Sequence, residues 1–208
     1  MIESTLNLLL AVPAMAIAAA LRPWRALRGA PPWPALALWA LLPLLWSLDS
    51  TTASPLLQPL SGVCILLLML GWPLTVLALL PVGALMLLMT GLDAAAALHR
   101  VVWLGLMPAT LALGLGAVVR HALPRHLFVY ILGRGFFATA IALAASGALA
   151  AWLFGVPPTV PVADVMLARV LAAFGDAFIT GMLAAIFVAF RPQWLATYAD
   201  WLYLKPLL

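Results

Sequence analysis

The chain has 208 residues, 67% of them hydrophobic and 8% charged, with a mean hydropathy of +1.19 and a net charge of +4. Soluble domains carry about 25% charged residues, so these few charges cannot coat a core of this size, and the same apolar content excludes intrinsic disorder. The solvent for most of the chain is lipid, and its length holds roughly six to eight helical spans of about 20 residues within one integral membrane domain, 1–208.

Continuous apolar runs such as 64–70 and 77–88 point to helices, because the strands of a membrane barrel alternate apolar with polar positions. The first predicted span covers about 5–21. Glu3 precedes it with no Lys or Arg, so it lacks the basic start of a cleavable signal peptide. It leads into Arg22, Arg25 and Arg28 in a proline-rich loop, and short basic loops stay in the cytoplasm, which places the N-terminus outside. A second span, about 33–48, ends at Asp49 and the polar Ser50, Thr51 and Thr52. A third, about 56–70, turns at Gly71-Trp72-Pro73 into a fourth that ends near Gly91 and Asp93.

The fifth span, about 101–119, reaches Arg120, His121, Arg125 and His126, and the sixth covers about 127–154. After a loop at 155–164, a seventh span from about 165 to 190 exits at Arg191. Trp194, Tyr198, Trp201, Tyr203 and Lys205 then form an aromatic and basic edge suited to the headgroup zone. In this all-helical bundle of about seven spans, N-out and C-in, the inner segments collect Arg22, Arg25, Arg28, Arg120, Arg125, Arg191 and Lys205. The outer ones collect Glu3, Asp49, Asp93 and Asp164 with Arg100, as the positive-inside rule requires.

Pro13, Pro43, Pro59, Pro73, Pro81 and Pro108 interrupt the spans, either as packing kinks or as breaks lining a cavity. In the seventh span small residues recur every fourth position at Ala173, Ala177, Gly181 and Ala185, a stripe that admits close approach by another helix. Asp176 and Thr180 lie beside that stripe, and Asp176 falls near the midplane, where a bare carboxylate costs at least about 2.5 kcal/mol and needs a partner. Arg169, two turns earlier, and Arg134 in Gly133-Arg134-Gly135 are the candidate cations. The group reads either as a site or proton relay, or as a structural ion pair.

Other chemistry lacks its residues. The one lysine, Lys205, follows no glycine-rich run, so this chain holds no phosphate-binding loop, and no histidine lies in mid-span to hold a haem. Ser61-Gly62 and Ser146-Gly147 have no base placed to activate them, and Cys64, the single cysteine, forms no thiolate cluster. No enzyme activity, cofactor, resident metal or nucleic-acid partner is expected; the partner expected from composition is the lipid bilayer.

The string Ala168-Arg169-Val170-Leu171-Ala172-Ala173-Phe174-Gly175-Asp176-Ala177-Phe178-Ile179-Thr180-Gly181, followed by Arg191-Pro192, resembles the last helical segment of the CbiM/NikM family. Those are the substrate-capturing membrane proteins of energy-coupling-factor transporters for cobalt and nickel, where the segment reads approximately His-Ala-Leu-Ile-Gly-Ile-Gly-Glu-Ala-Leu-Ile-Thr. Gly175, Ala177, Ile179 and Thr180 match, Asp176 replaces Glu, and Arg169 stands where that family has His. The stretches 123–131, 135–137 and 191–197 are similar to those of a divergent bacterial branch of the superfamily. The resemblance covers about the last 90 residues and, through topology, the rest. It implies a permease-like component in a bacterial inner membrane, partnered by separate ATPase and coupling membrane subunits. Metal-binding members begin Met-His and carry a second His ahead of the third span. This chain begins Met1-Ile2-Glu3 and reads Gln58-Pro59-Leu60-Ser61-Gly62 at the second place, so the family's metal ligands are missing. The alternative is a noncatalytic structural or assembly subunit of a larger membrane complex. A polar cavity open to the outside between the N-terminal segment and the seventh helix would favour the permease, and an apolar, filled centre the subunit.

Overall fold

Five helices are long and apolar enough to cross a membrane, at Glu3–Ala20, Trp72–Met89, Ala94–Ala122, Val129–Phe154 and Val162–Phe190, as expected of a multi-pass membrane protein. They belong to a computed structural model that describes residues 2–25, 32–47 and 58–203. Among these residues the chain is helical with no strand. Arg28, Asp49, the polar residues 50–52 and Lys205 lie outside the described residues.

The helices are α1 (Ile2–Ala20), α2 (Trp33–Leu45), α3 (Val63–Leu70), α4 (Trp72–Thr90), α5 (Ala94–Arg100), α6 (Met107–Ala122), α7 (Ala138–Phe154), α8 (Val162–Phe190) and a single turn, α9 (Asp200–Tyr203). Wider π-helical turns join α5 to α6 over Val101–Leu106 and lead into α7 over Val129–Phe137. One end of the bundle gathers Glu3, the close of α2, His99 and Phe154: Arg100 donates to the Trp46 carbonyl, and the His99 and Phe154 rings lie 5.1 Å apart. At the opposite end Trp33 meets Trp194, and residues 196–197 bond to the close of α3. These are called the Glu3 end and the Arg191 end. The first described residues and the last thus lie at opposite ends, with Arg22, Arg120, Arg125 and Arg191 towards the Arg191 end.

The third segment differs from the expected full span. Residues 58–62 are not helical, and α3 is only 8 residues long, about 12 Å at 1.5 Å per residue. It is a half-helix, with every side chain from Val63 to Met69 buried. The break is set by Gly62 (φ 63°), where a Cβ would lie 3.0 Å from Leu42 Cδ2. Gly71 (φ 75°) closes α3 and opens α4, whose first turn accepts Pro73. No run of side-chain types announces this break, because Val63–Leu70 is as apolar as any true span.

α8 packs its small face on α7 and on the π turns before it. Ala173, Ala177, Gly181 and Ala184 are buried, and Ala185, beside Ala184, is half-exposed. A four-residue repeat overshoots a 3.6-residue turn by about 40° each time, so by the third repeat the seam has moved back one residue. At Gly181 an added Cβ would stand 3.3 Å from Phe136 Cβ, and one on Gly135 would stand 3.3 Å from Gly181 Cα. Gly181→Ile is therefore expected to destabilise the bundle by about 1–3 kcal/mol through overpacking, measured by thermal unfolding in micelles, whereas the same change at Gly175, whose nearest neighbour is 3.9 Å away, should cost far less.

Candidate functional site

Asp176 is the fifteenth of the 29 residues of α8 and is 4% exposed, so a carboxylate sits buried halfway along the longest helix. Neither arginine is its partner. Its Oδ2 accepts the Ser61 N–H at 2.5 Å and its Oδ1 the Gly62 N–H at 3.1 Å, the two backbone donors at the start of α3. A helix N-terminus leaves N–H groups unsatisfied and carries partial positive charge, so a carboxylate there is a favourable acceptor. The half-helix and the carboxylate thus answer each other's deficit. Arg134 lies towards the Arg191 end, donating to the Thr197 carbonyl at 3.3 Å and standing 5.7 Å from the Tyr130 ring centre. Arg169 lies on the other side of Asp176 and donates to the Gly147 carbonyl. Thr180, wholly buried one turn below Asp176, has a hydroxyl oxygen with no hydrogen-bond partner.

Two neighbouring cavities with a shared wall lie between the Glu3 end and Asp176. The wider, about 330 Å³, is lined by Glu3, Gln58, Pro59, Ala96, His99, Arg100, Trp103, Leu104, Gly147, Ala150 and Arg169. The narrower, about 40 Å³, shares Gln58, Pro59, Trp103, Leu104, Gly147 and Arg169 with it and adds Ser61, Leu143, Ala172, Ala173 and Asp176. The passage thus narrows inward, with Arg169 reaching both chambers and Asp176 at its floor. Of the six helix-interrupting prolines only Pro59 lines it, in the non-helical approach to α3; Pro13, Pro43 and Pro81 lie inside helices.

The mouth is polar and tied together. Glu3 pairs with His99, Oε1 to Nδ1 at 2.8 Å, and Asn7, 1% exposed, accepts the Trp103 indole N–H at 2.9 Å. The wall is built on the π turns of Val101–Leu106, where the backbone bonds reach one residue further and leave carbonyls for side chains. Ser146 donates to the Trp103 carbonyl at 2.8 Å and Ser61 to the Leu104 carbonyl at 2.6 Å. Sequence reasoning picked out Asp176, Arg169, Arg134 and Thr180. It missed Glu3, Asn7, Gln58, His99, Arg100 and Trp103 as members of one site. Asn7 carried a usable signal as the one amide inside the first apolar run. The Glu3–His99 pair, 96 positions apart in the chain, carried none.

Among the described residues, no group of three or more His, Cys, Asp or Glu side chains is gathered as a metal ion would need. The passage offers instead two guanidinium groups, one carboxylate paired to an imidazole, amide and indole groups, and a deep carboxylate held by backbone N–H groups. That set can bind and orient a small polar solute. Comparison of the chain with protein-family models, with curated proteins and with solved structures finds no match.

Proposed function

We propose that the chain is the permease-like membrane component of an energy-coupling-factor type transporter in a bacterial inner membrane, with its Glu3 end outside and its Arg191 end in the cytoplasm. The observation that carries this reading is the polar passage from the Glu3 end to a mid-helix carboxylate at the tip of a half-helix, an arrangement suited to solute binding near the midplane. The orientation follows from charge: Arg22, Arg120, Arg125 and Arg191 crowd one end, while Glu3, Asp93 and Asp164 lie towards the other. The resemblance in α8 adds weight in one respect. Of the two places where its metal-binding members carry a histidine, the second is Pro59 here, which lines the wide cavity beside Gln58 and Glu3, and the first is Ile2. Cobalt or nickel as cargo rests on that resemblance alone, and the two guanidinium groups in the passage work against a divalent cation.

One observation favours the second reading, a noncatalytic structural or assembly subunit: both carboxylate oxygens of Asp176 are already engaged by the start of α3, as in a strut. Purification from the native host in mild detergent separates the two. A transporter component brings with it an ATPase and a coupling membrane subunit in fixed ratio, and elemental analysis of the same preparation decides on nickel and cobalt. In a Cys64→Ser background, Gln58→Cys is expected to react with a membrane-impermeant thiol reagent added from outside. Stable association with another complex, no ATPase and an unreactive position 58 would reject the permease reading.

A further inference from the structure

We infer that the wide chamber receives the anionic group of a small solute, a carboxylate or an oxyanion such as phosphate or sulfate, and that Arg169 is the residue that binds it. The inference builds on the permease reading and names the substrate class of that passage.

Arg169 stands two turns from Asp176 on α8 and lines both chambers. One terminal nitrogen donates to the Gly147 carbonyl, and its Nε is buried with no hydrogen-bond partner. Among the described residues no carboxylate lies within ion-pair distance of it. Glu3, the carboxylate of the wide chamber, is taken by His99, and both oxygens of Asp176 are taken by the amides of Ser61 and Gly62. A half-buried guanidinium with no counter-charge among the described residues is costly, and its planar fork of donors matches a carboxylate or an oxyanion with two parallel hydrogen bonds.

The surroundings hold that fork in place. Gly147 lies across from Arg169, and a Cβ there would stand 3.2 Å from Arg169 Cδ, so the missing side chain makes room for the arginine stem. Arg100 enters the same chamber while donating to the Trp46 carbonyl, and His99 lies within the electrostatic reach of both arginines. At about 330 Å³ the chamber falls at the lower end of the range for small-molecule sites. A solute with one anionic group fits this volume and charge, and a cation would face both arginines.

The test uses the full chain in nanodiscs of phosphatidylcholine, with thermal unfolding followed as sodium phosphate, sodium sulfate, sodium succinate or sodium glutamate is titrated, and with putrescine and nickel chloride as the cationic series. At least one anion is expected to raise the unfolding temperature saturably, as any ligand of the native state does. Arg169→Gln should weaken that response at least tenfold, and Arg169→Lys, which keeps the charge but loses the two-donor fork, should recover only part of it. Nanodiscs containing phosphatidylglycerol separate the sources. If a lipid phosphate is the occupant, that lipid stabilises the wild type but not Arg169→Gln, and free anions then add little. Three outcomes overturn the inference: no response to any anion or to phosphatidylglycerol, a saturable response to the cations alone, or an anion response that Arg169→Gln leaves unchanged. The last would mean that Arg169 only balances the charge of Asp176. Solute uptake with a cationic substrate would sink the inference and spare the permease reading, whereas saturable anion binding without an ATPase partner would do the reverse.

Discussion

Asp176→Leu is expected to lower the unfolding free energy by about 2–6 kcal/mol, because two buried backbone N–H groups lose their acceptor and each unsatisfied group costs about 1–3 kcal/mol. The donors are Ser61 and Gly62, and Asp176 is the acceptor of both. Asp176→Asn keeps one oxygen but turns an NH₂ towards the second amide, so its loss should be smaller, about 1–3 kcal/mol. Unfolding in micelles by denaturant titration measures both. The Asn variant also separates strut from site: a carboxylate that only holds α3 loses uptake in proportion to folded protein, whereas one that serves the solute loses uptake in protein that remains folded.

The second large effect is expected at Trp46, which is wholly buried where α2, α4 and the π turns of Val101–Leu106 converge. Its indole N–H donates to the Ser61 carbonyl at 2.9 Å, and its ring closes on Gly105, where a Cβ would lie 2.9 Å from Trp46 Cη2. Between helices in lipid the transfer contribution is small, but the cavity contribution remains. For about 140 Å³ of lost side chain, Trp46→Ala should therefore cost about 3 kcal/mol, with the unpaired Ser61 carbonyl added to that. Trp46→Phe fills most of the space and loses only the hydrogen bond, so about 1–2 kcal/mol is expected. A loss for Phe as large as that for Ala would show that the bond to Ser61, and through it the seating of α3, outweighs the packing.

The apolar runs made the long helices legible because lipid demands length and apolarity of every residue in a span, and those demands act on composition alone. The small row in α8 was legible for a related reason: Ala173, Ala177 and Gly181 are small where their neighbours Phe174, Phe178 and Met182 are not, so the inward direction of Asp176 could be read from size. What Asp176 binds could not. Its partners are main-chain amides, which every residue type carries, and they are presented only because the chain is broken at Gly62. The π turns were hidden likewise, since Val101–Leu106 has a composition that suits an ordinary helix. Glu3, His99 and Arg100, sorted by sequence to the outer side, turn inward to line a cavity. A sorting by side of the membrane cannot distinguish a rim from a lining.

The half-helix α3 is made early on the ribosome, yet what secures it is made late. The two amides just ahead of it are held by Asp176, more than a hundred residues downstream, and its late carbonyls, at Leu68 and Met69, are held by Thr197 and Ala196. It is too short to span the bilayer and has no lipid-facing side chain from Val63 to Met69, so it gains little from entering the membrane alone. During synthesis the segment 58–70 must therefore wait, unpaired at both ends, until α8 and the chain beyond it have been delivered. Its seating marks completion of the bundle, and ribosome-arrested chains ending before residue 176 should leave these thirteen residues open to protease.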